Sequence, residues 1–128
     1  MLRRVILDTN FLLVPAREDV DIFSELERAC PSGVRFAMME GSRIELELLA
    51  ARGGKERAQV KLANTVIRAK KVEQILHQVQ SVDDAIVDEA QRGDIVATMD
   101  LKLRRRLKEK GVDVAVLRSR NHVEIIVS

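Results

Sequence analysis

Short apolar runs alternate with longer amphipathic segments along this chain. Four of the runs predict buried β-strands because they are brief, rich in β-branched residues and bounded by polar or turn residues. They are Arg3 to Asp8, Val34 to Met38, Ile95 to Thr98 and Val112 to Leu117. Val72 to Leu76 is a weaker strand candidate, and Val123 to Val127 predicts either an edge strand or a packed tail.

Helices are predicted for the segments between these runs, mostly from apolar residues at approximately helical spacing. These segments are Asp19 to Ala29, Gly41 to Ala51, Lys55 to Ala69, Val82 to Gln91 and Asp100 to Lys110. The segment from Gly41 to Ala51 has an ambiguous period and is predicted as a helix from its length and its Leu and Glu content, and the basic segment that starts at Asp100 is stopped by Gly111. Alternating strands and helices with short connections predict a three-layer α/β/α sandwich around a mainly parallel sheet of four to five strands. Because no internal repeat or linker interrupts the pattern, we expect one domain over residues 1–128.

Composition limits the kinds of protein and of metal site that this chain can form. At 128 residues and 46% hydrophobic content, the chain can bury a core without a disulfide or a structural metal. Cys30 is the only cysteine, and the two histidines, His77 and His122, are far apart, which argues against a zinc or iron–sulfur site. No segment has the length of a signal peptide or a membrane span, so we expect a soluble cytoplasmic protein.

Three aspartates occupy chemically informative positions. Asp8 and Asp100 each follow a predicted strand, and Asp84 begins a predicted helix. Such positions converge along one edge of a parallel sheet, where grouped carboxylates can bind a divalent cation. The alternative is structural: Asp8 as a turn acid, Asp100 as a helix N-cap, and Asp84 as part of a capping box with Ser81.

Three further acids leave the assignment of the site open. Asp83 is adjacent to Asp84 and could exchange roles with it. Glu45 and Glu47 lie on one Leu- and Glu-rich helix, and because they are two positions apart only one of them can readily face the site. Most glutamates on such a helix are simply solvated. Asp94 begins a strand that Asp100 follows, so we expect it at the opposite sheet edge and outside the site.

Four motifs follow one another along the chain: Asp8-Thr9-Asn10 after the first strand, a glutamate in an early helix, the step Asp84-Ala85, and Thr98-x-Asp100 after a later strand. Their order resembles the PIN domain, a family of divalent-metal ribonucleases. The resemblance spans essentially the whole chain. It is closest to small archaeal PIN proteins, including relatives of the ribosomal-RNA processing branch, on the strength of the run from Leu7 to Leu13 and of Gly53-Gly54-Lys55-Glu56.

The resemblance implies a site for Mg²⁺ or Mn²⁺. Its ligands would be Asp8, Glu45, Asp84 and Asp100, and its polar supports would be Asn10 and Thr98. Ser42-Arg43 departs from the family, which usually has an apolar or β-branched residue shortly before the glutamate, and this puts the start of that helix in question.

The function implied is metal-dependent endoribonuclease activity. The alternatives are a toxin ribonuclease with an antitoxin partner and a non-catalytic RNA-binding scaffold in ribosome assembly; a homodimer would also fit the family. RNA binding would be mainly electrostatic because the chain has no Trp or Tyr. The candidate phosphate contacts belong to two basic segments, and the alternative is that these side chains are simply solvated on helix faces. They are Lys55, Arg57, Arg104 and Arg105.

Overall fold

The structure is a computed structural model that describes residues 2–78, 81–119 and 121–128. Six strands occur in these ranges: β1 (Arg3–Leu7), β2 (Val34–Met39), β3 (Glu73–Ile75), β4 (Ile95–Ala97), β5 (Asp113–Arg118) and β6 (His122–Ile126). The same ranges contain seven helices: α1 (Thr9–Leu12), α2 (Val14–Glu18), α3 (Ile22–Ala29), α4 (Glu40–Ala50), α5 (Gly54–Ala69), α6 (Val82–Glu89) and α7 (Leu101–Lys110).

The strands form one sheet in the order β3-β2-β1-β4-β5-β6. The first five strands in this order are parallel to their neighbours, and β6 pairs antiparallel with β5. The chain moves outward from β1 to β2 and β3, then crosses to β4 on the other side of β1. The switch point therefore lies between β1 and β4, and the carboxyl ends of these strands are neighbours, as expected for a ligand site in such a sheet.

Side chains of the central strand alternate between two hydrophobic clusters, one on each face of the sheet. Val5 and Leu7 join the cluster that is covered by α1 to α5, whereas Ile6 joins the cluster covered by α6 and α7. Phe23 of α3 packs edge-on against Phe36 of β2 with ring centroids 4.8 Å apart. Two covered faces make a three-layer sandwich, and the predicted fold class is confirmed.

The structure differs from the prediction in its details. The sheet has a sixth strand because residues 122–126 pair along β5 as an antiparallel edge instead of packing as a tail. The short helices α1 and α2 were not predicted, since four and five residues are too few to show a helical period. Helix α4 begins at Glu40, so Ser42-Arg43 does not delay it. Among the described residues, no helix is both long and apolar enough to cross a membrane.

Candidate active site

A cavity of about 440 Å³ opens at the carboxyl edge of the parallel strands. Four carboxylates line it, each from a different part of the fold: Asp8, Glu45, Asp83 and Asp100. We call this cavity the acid cleft. The other residues that line it are Thr9, Asn10, Leu13, Arg17, Leu48, Leu49 and Arg52.

Asp8 lies at the floor of the acid cleft, at the point where β1 ends and α1 begins. Its side chain is held from two sides: Oδ1 accepts a hydrogen bond from the Thr9 backbone N–H at 2.8 Å, and Oδ2 accepts one from the Thr98 hydroxyl at 2.8 Å. Only 6% of the residue is exposed. Burial raises the pKa of Asp8, and the nearby charges of Asp83 and Glu45 raise it further, against the opposing effect of the Thr98 hydrogen bond.

Thr98 and Asp100 continue the site from the end of β4. Asp100 caps α7, because its Oδ1 accepts from the backbone N–H groups of Lys102 and Leu103 at 2.8 and 3.1 Å. Its own backbone N–H donates to the Thr98 hydroxyl at 3.1 Å. Asp100 is thus both a helix cap and a wall of the acid cleft, and the two predicted roles do not exclude each other.

Glu45 and Glu47 differ in the contacts that their side chains make. The Thr9 hydroxyl bonds to Glu45 Oε1 and also lies 2.7 Å from the hydroxyl of Ser42, which is fully buried. Because Thr9 has one hydroxyl proton, it can donate to the carboxylate only if Ser42 donates to Thr9. Glu47 forms an ion pair with Arg43 and does not line the acid cleft. Of these two glutamates, Glu45 lines the acid cleft and Glu47 does not.

The two neighbouring aspartates of α6 face different surroundings. Asp83 lines the acid cleft, where burial and the charges of Asp100 and Glu45 raise its pKa. The sequence favoured Asp84, but this residue lies outside the acid cleft and its Oδ1 pairs with Arg106 Nη1 at 2.8 Å. That hydrogen bond lowers the pKa of Asp84. Asp83 therefore faces the acid cleft and Asp84 faces away from it, because consecutive residues of α6 point in different directions.

The other residues considered from the sequence also divide into those that line the acid cleft and those that do not. Asn10 is exposed and lines the acid cleft. Asp94 is excluded from it as expected, since its Oδ2 accepts from Arg4 Nη2 at 2.7 Å.

Of the predicted cations, Lys55 lies on a groove that adjoins the acid cleft. Arg57 is exposed, and its Nε donates to the Ala50 carbonyl at 3.4 Å. Arg104 and Arg105 line a separate cavity between α7 and the β5–β6 edge.

The donor set of the acid cleft can be tested for its fit to a divalent cation. Its four carboxylates are the hard oxygen ligands that Mg²⁺ and Mn²⁺ prefer, and no thiol or imidazole lines it in the part of the chain that the structure describes. Within the described residues, no three acidic, histidine or cysteine side chains stand close enough to share one ion. The chemistry of the donor set therefore fits a divalent cation, whereas the spacing of its side chains does not bring three of them around one ion.

Comparison with known proteins identifies the family. The family model described as "PIN like domain" matches residues 5–120, so the chain belongs to the PIN-like family and the predicted resemblance is confirmed. The archaeal protein named Ribonuclease VapC4, from Methanocaldococcus jannaschii, is 32% identical over 127 residues, which cover 95% of each chain.

Two solved structures share the fold. The PIN domain endonuclease Utp24 superposes with a TM-score of 0.76 at 24% identity, covering 98% of this chain and 93% of the other. A domain of a functionally unknown protein from Methanocaldococcus jannaschii superposes with a TM-score of 0.54 at 16% identity, covering 98% and 99% of the two chains. At these identities the likeness concerns the fold alone.

Three residues in or beside the acid cleft were not named from the sequence: Ser42, Arg17 and Arg52. Ser42 forms a hydroxyl pair with Thr9 of the motif Asp8-Thr9-Asn10, and the signal of it was a polar residue at a position where the family usually has an apolar one. Arg17 and Arg52 line the outer wall of the acid cleft. Arg17 belongs to the short helix α2, which has no detectable period, so nothing in the sequence connected it to the site.

Proposed function

We propose that this protein is a metal-dependent endoribonuclease whose Mg²⁺ or Mn²⁺ ligands are Asp8, Glu45, Asp83 and Asp100. One observation carries the proposal: four carboxylates from separate elements line one cavity at the sheet's switch point. The raised pKa values of Asp8 and Asp83 support it, since neighbouring negative charges contribute to both. The name of the 32% identical relative, a ribonuclease, supports the substrate class.

The protein's own residues hold the acids in place for this chemistry. Thr98 and the Thr9 N–H fix both oxygens of Asp8, and Thr98 also anchors the backbone of Asp100. When bound, a divalent cation supplies an activated water and offsets the charge of the phosphodiester. Among the described residues, no cysteine or histidine lines the acid cleft to act as a nucleophile instead. Asn10, exposed at the rim, is placed to contact the substrate.

A cleavage assay tests the proposal. Purified protein is incubated with end-labelled RNA that contains unpaired and base-paired segments, with Mn²⁺ or Mg²⁺ or with excess EDTA. We expect internal cleavage with the metals, none in EDTA, and little for Asp8→Asn, whose folding is checked by a thermal melt. Cleavage that continues undiminished in EDTA would contradict the metal-dependent mechanism.

The biological setting is a separate part of the proposal, with three alternatives. If the protein is a toxin, expression of wild type should arrest growth and expression of Asp8→Asn should not. Coexpression of an antitoxin encoded by a small neighbouring reading frame should relieve the arrest. A processing enzyme would instead leave ribosomal-RNA precursors when its gene is deleted. A non-catalytic scaffold of ribosome assembly would bind RNA without cleaving it. A homodimer is compatible with each setting, and light scattering tests it.

A further inference from the structure

A second groove adjoins the acid cleft on the side of α2 and α5. It measures about 470 Å³ and is lined by Ala16, Arg17, Leu49, Arg52, Lys55, Glu56 and Gln59. We call it the arginine groove. Three of these residues, Arg17, Leu49 and Arg52, also line the acid cleft, so the two cavities adjoin along a shared wall, and we call the two together the channel.

The cations of the arginine groove are not neutralised by the protein. Arg17 Nε donates to Gln59 Oε1 at 3.2 Å, and because an amide is uncharged this contact orients the guanidinium without cancelling its charge. Arg52 and Lys55 make no side-chain hydrogen bond or ion pair with any residue that the structure describes. The groove is lined by one acid, Glu56. By contrast, Arg4 is held by both Asp94 and Glu89.

Arg17 and Arg52 also share walls with the four acids of the acid cleft without pairing with them. None of the ion pairs among the described residues joins either arginine to Asp8, Glu45, Asp83 or Asp100. If the arginines served to neutralise the acids, close pairs would form, because an arginine–carboxylate contact is a strong charge-assisted bond. The separation leaves the acids available to a cation and the arginines available to an anion.

Two further features of the channel suit a nucleic-acid strand. Leu48 is 67% exposed on the wall of the acid cleft and offers an apolar surface to a base or a ribose. Helix α5 begins beside Lys55 without a side-chain cap, so backbone N–H groups of its first turn can add to phosphate binding.

The basic face of α7 is a weaker candidate for the strand's path. Arg104, Arg105 and Lys108 line their own cavity together with Val114 and other apolar residues. No residue of that cavity also lines the acid cleft. A nucleic-acid strand leaving the acid cleft therefore first meets cations that have no ion pair at Arg17 and Arg52.

Building on the proposed ribonuclease function, we infer that an unpaired RNA strand runs from the acid cleft along the arginine groove. Arg17 and Arg52 bind phosphates next to the one that is cleaved, and Lys55 binds a phosphate further along. The strand is unpaired because Asp8 is recessed, with 6% of its surface exposed, and a flexible single strand can bend its phosphate into the cleft.

The experiment measures binding of a fluorescein-labelled uridine oligonucleotide by anisotropy, in EDTA so that the RNA is not cleaved, across a range of salt concentrations. Three double variants with equal loss of charge are compared with wild type. They are Arg17→Ala/Arg52→Ala in the groove, Arg104→Ala/Arg105→Ala on α7, and Arg68→Ala/Arg92→Ala as a remote control. Arg17→Lys/Arg52→Lys restores the charge, and thermal melts verify folding.

We expect the groove variant to bind roughly tenfold more weakly and its salt slope to fall by about 1.4, because each phosphate contact on a single strand contributes about 0.7. The lysine variant should regain most of the slope, and the α7 and remote variants should match wild type. The inference is overturned if the groove variant binds the RNA as tightly as wild type, or if only the α7 variant loses affinity. In either case, cleavage by wild type still supports the ribonuclease proposal. Wild type that neither binds nor cleaves RNA overturns both.

Discussion

The hydroxyl of Thr98 donates to Asp8 Oδ2 at 2.8 Å, joining the end of β4 to the end of β1. The same hydroxyl accepts the backbone N–H of Asp100 at 3.1 Å, so one fully buried side chain fixes two acids of the acid cleft. The bond exists because β1 and β4 are adjacent at the sheet's switch point, which places their carboxyl ends side by side.

Replacing Thr98 with valine keeps the shape and removes both hydrogen bonds. We expect Thr98→Val to lower the free energy of unfolding by about 1–3 kcal/mol, since a buried carboxylate loses its donor and a backbone N–H loses its acceptor. The pKa of Asp8 should rise further, because the Thr98 hydrogen bond now opposes the effect of burial. Urea unfolding and an NMR titration of the Asp8 carboxyl measure the two effects. The control is Thr98→Ser, which keeps the hydroxyl; equal stability and pKa in the two variants would contradict this role.

Neutralising the two neighbouring acids of α6 should have different effects on activity. Asp83→Asn removes a proposed ligand and should lower Mn²⁺-dependent RNA cleavage by about 100-fold or more. Asp84→Asn should cleave nearly like wild type, because Asp84 lies outside the acid cleft and pairs with Arg106. The comparison is made with kcat/KM on one RNA. The reverse order of effects would return the assignment to Asp84.

The glutamates of α4 provide a second matched pair. Glu45→Gln should strongly impair metal-dependent cleavage, since its carboxylate lies beside Thr9 in the wall of the acid cleft. Glu47→Gln should leave cleavage unchanged, because it loses only an exposed i,i+4 pair with Arg43 that contributes about 0.3–0.5 kcal/mol to stability. Steady-state cleavage rates at saturating Mn²⁺ and at limiting Mn²⁺ separate loss of ion binding from loss of turnover. If Glu47→Gln is the inactive variant, the site lies on the other side of α4.

The sequence was sufficient for those parts of the fold and the site that follow from strand position. The runs Arg3 to Asp8 and Ile95 to Thr98 predicted β1 and β4, which end in the structure at Leu7 and Ala97. Once these strands are parallel neighbours, Asp8 and Thr98 must meet at one edge. That β1 and β4 are neighbours comes from the strand order of the sheet, which was not predicted.

The choice between Asp83 and Asp84 depends instead on helix phase. One residue along a helix is a rotation of about 100°, so the choice requires knowing which face of α6 packs on the sheet. A signal was present, because Asp83 precedes the fully buried Ile86 and Ala90 by three and seven residues and so shares their face. The motif Asp84-Ala85 outweighed that periodicity in the prediction.

Arg17 and Arg52 show what the sequence could not supply. They come together only because α2 packs against α5 beside the acid cleft, a contact between elements that are distant in the chain. Charge counts pointed to two basic segments, and the candidates chosen from them were Lys55 and Arg57 in one and Arg104 and Arg105 in the other. The structure shows which cations line the same cavity as the acids, and residue composition contains no information about this.

The last prediction concerns stability and needs no catalytic activity. Asp83 makes no side-chain hydrogen bond within the described residues. Burial and the charges of Asp100 and Glu45 raise its pKa, and the charge of Arg106 opposes this effect only in part. We expect Asp83→Asn in EDTA to melt about 2–4 °C above wild type, from relief of repulsion worth roughly 0.5–1 kcal/mol. Added Mn²⁺ should raise the melting temperature of wild type by binding the folded state, and that of Asp83→Asn less. Asp84→Asn, assayed alongside, should keep the full response to Mn²⁺ and melt no higher than wild type in EDTA, because it loses the pair with Arg106. If Asp83→Asn melts below wild type in EDTA and wild type does not respond to Mn²⁺, the four carboxylates do not form a cation site.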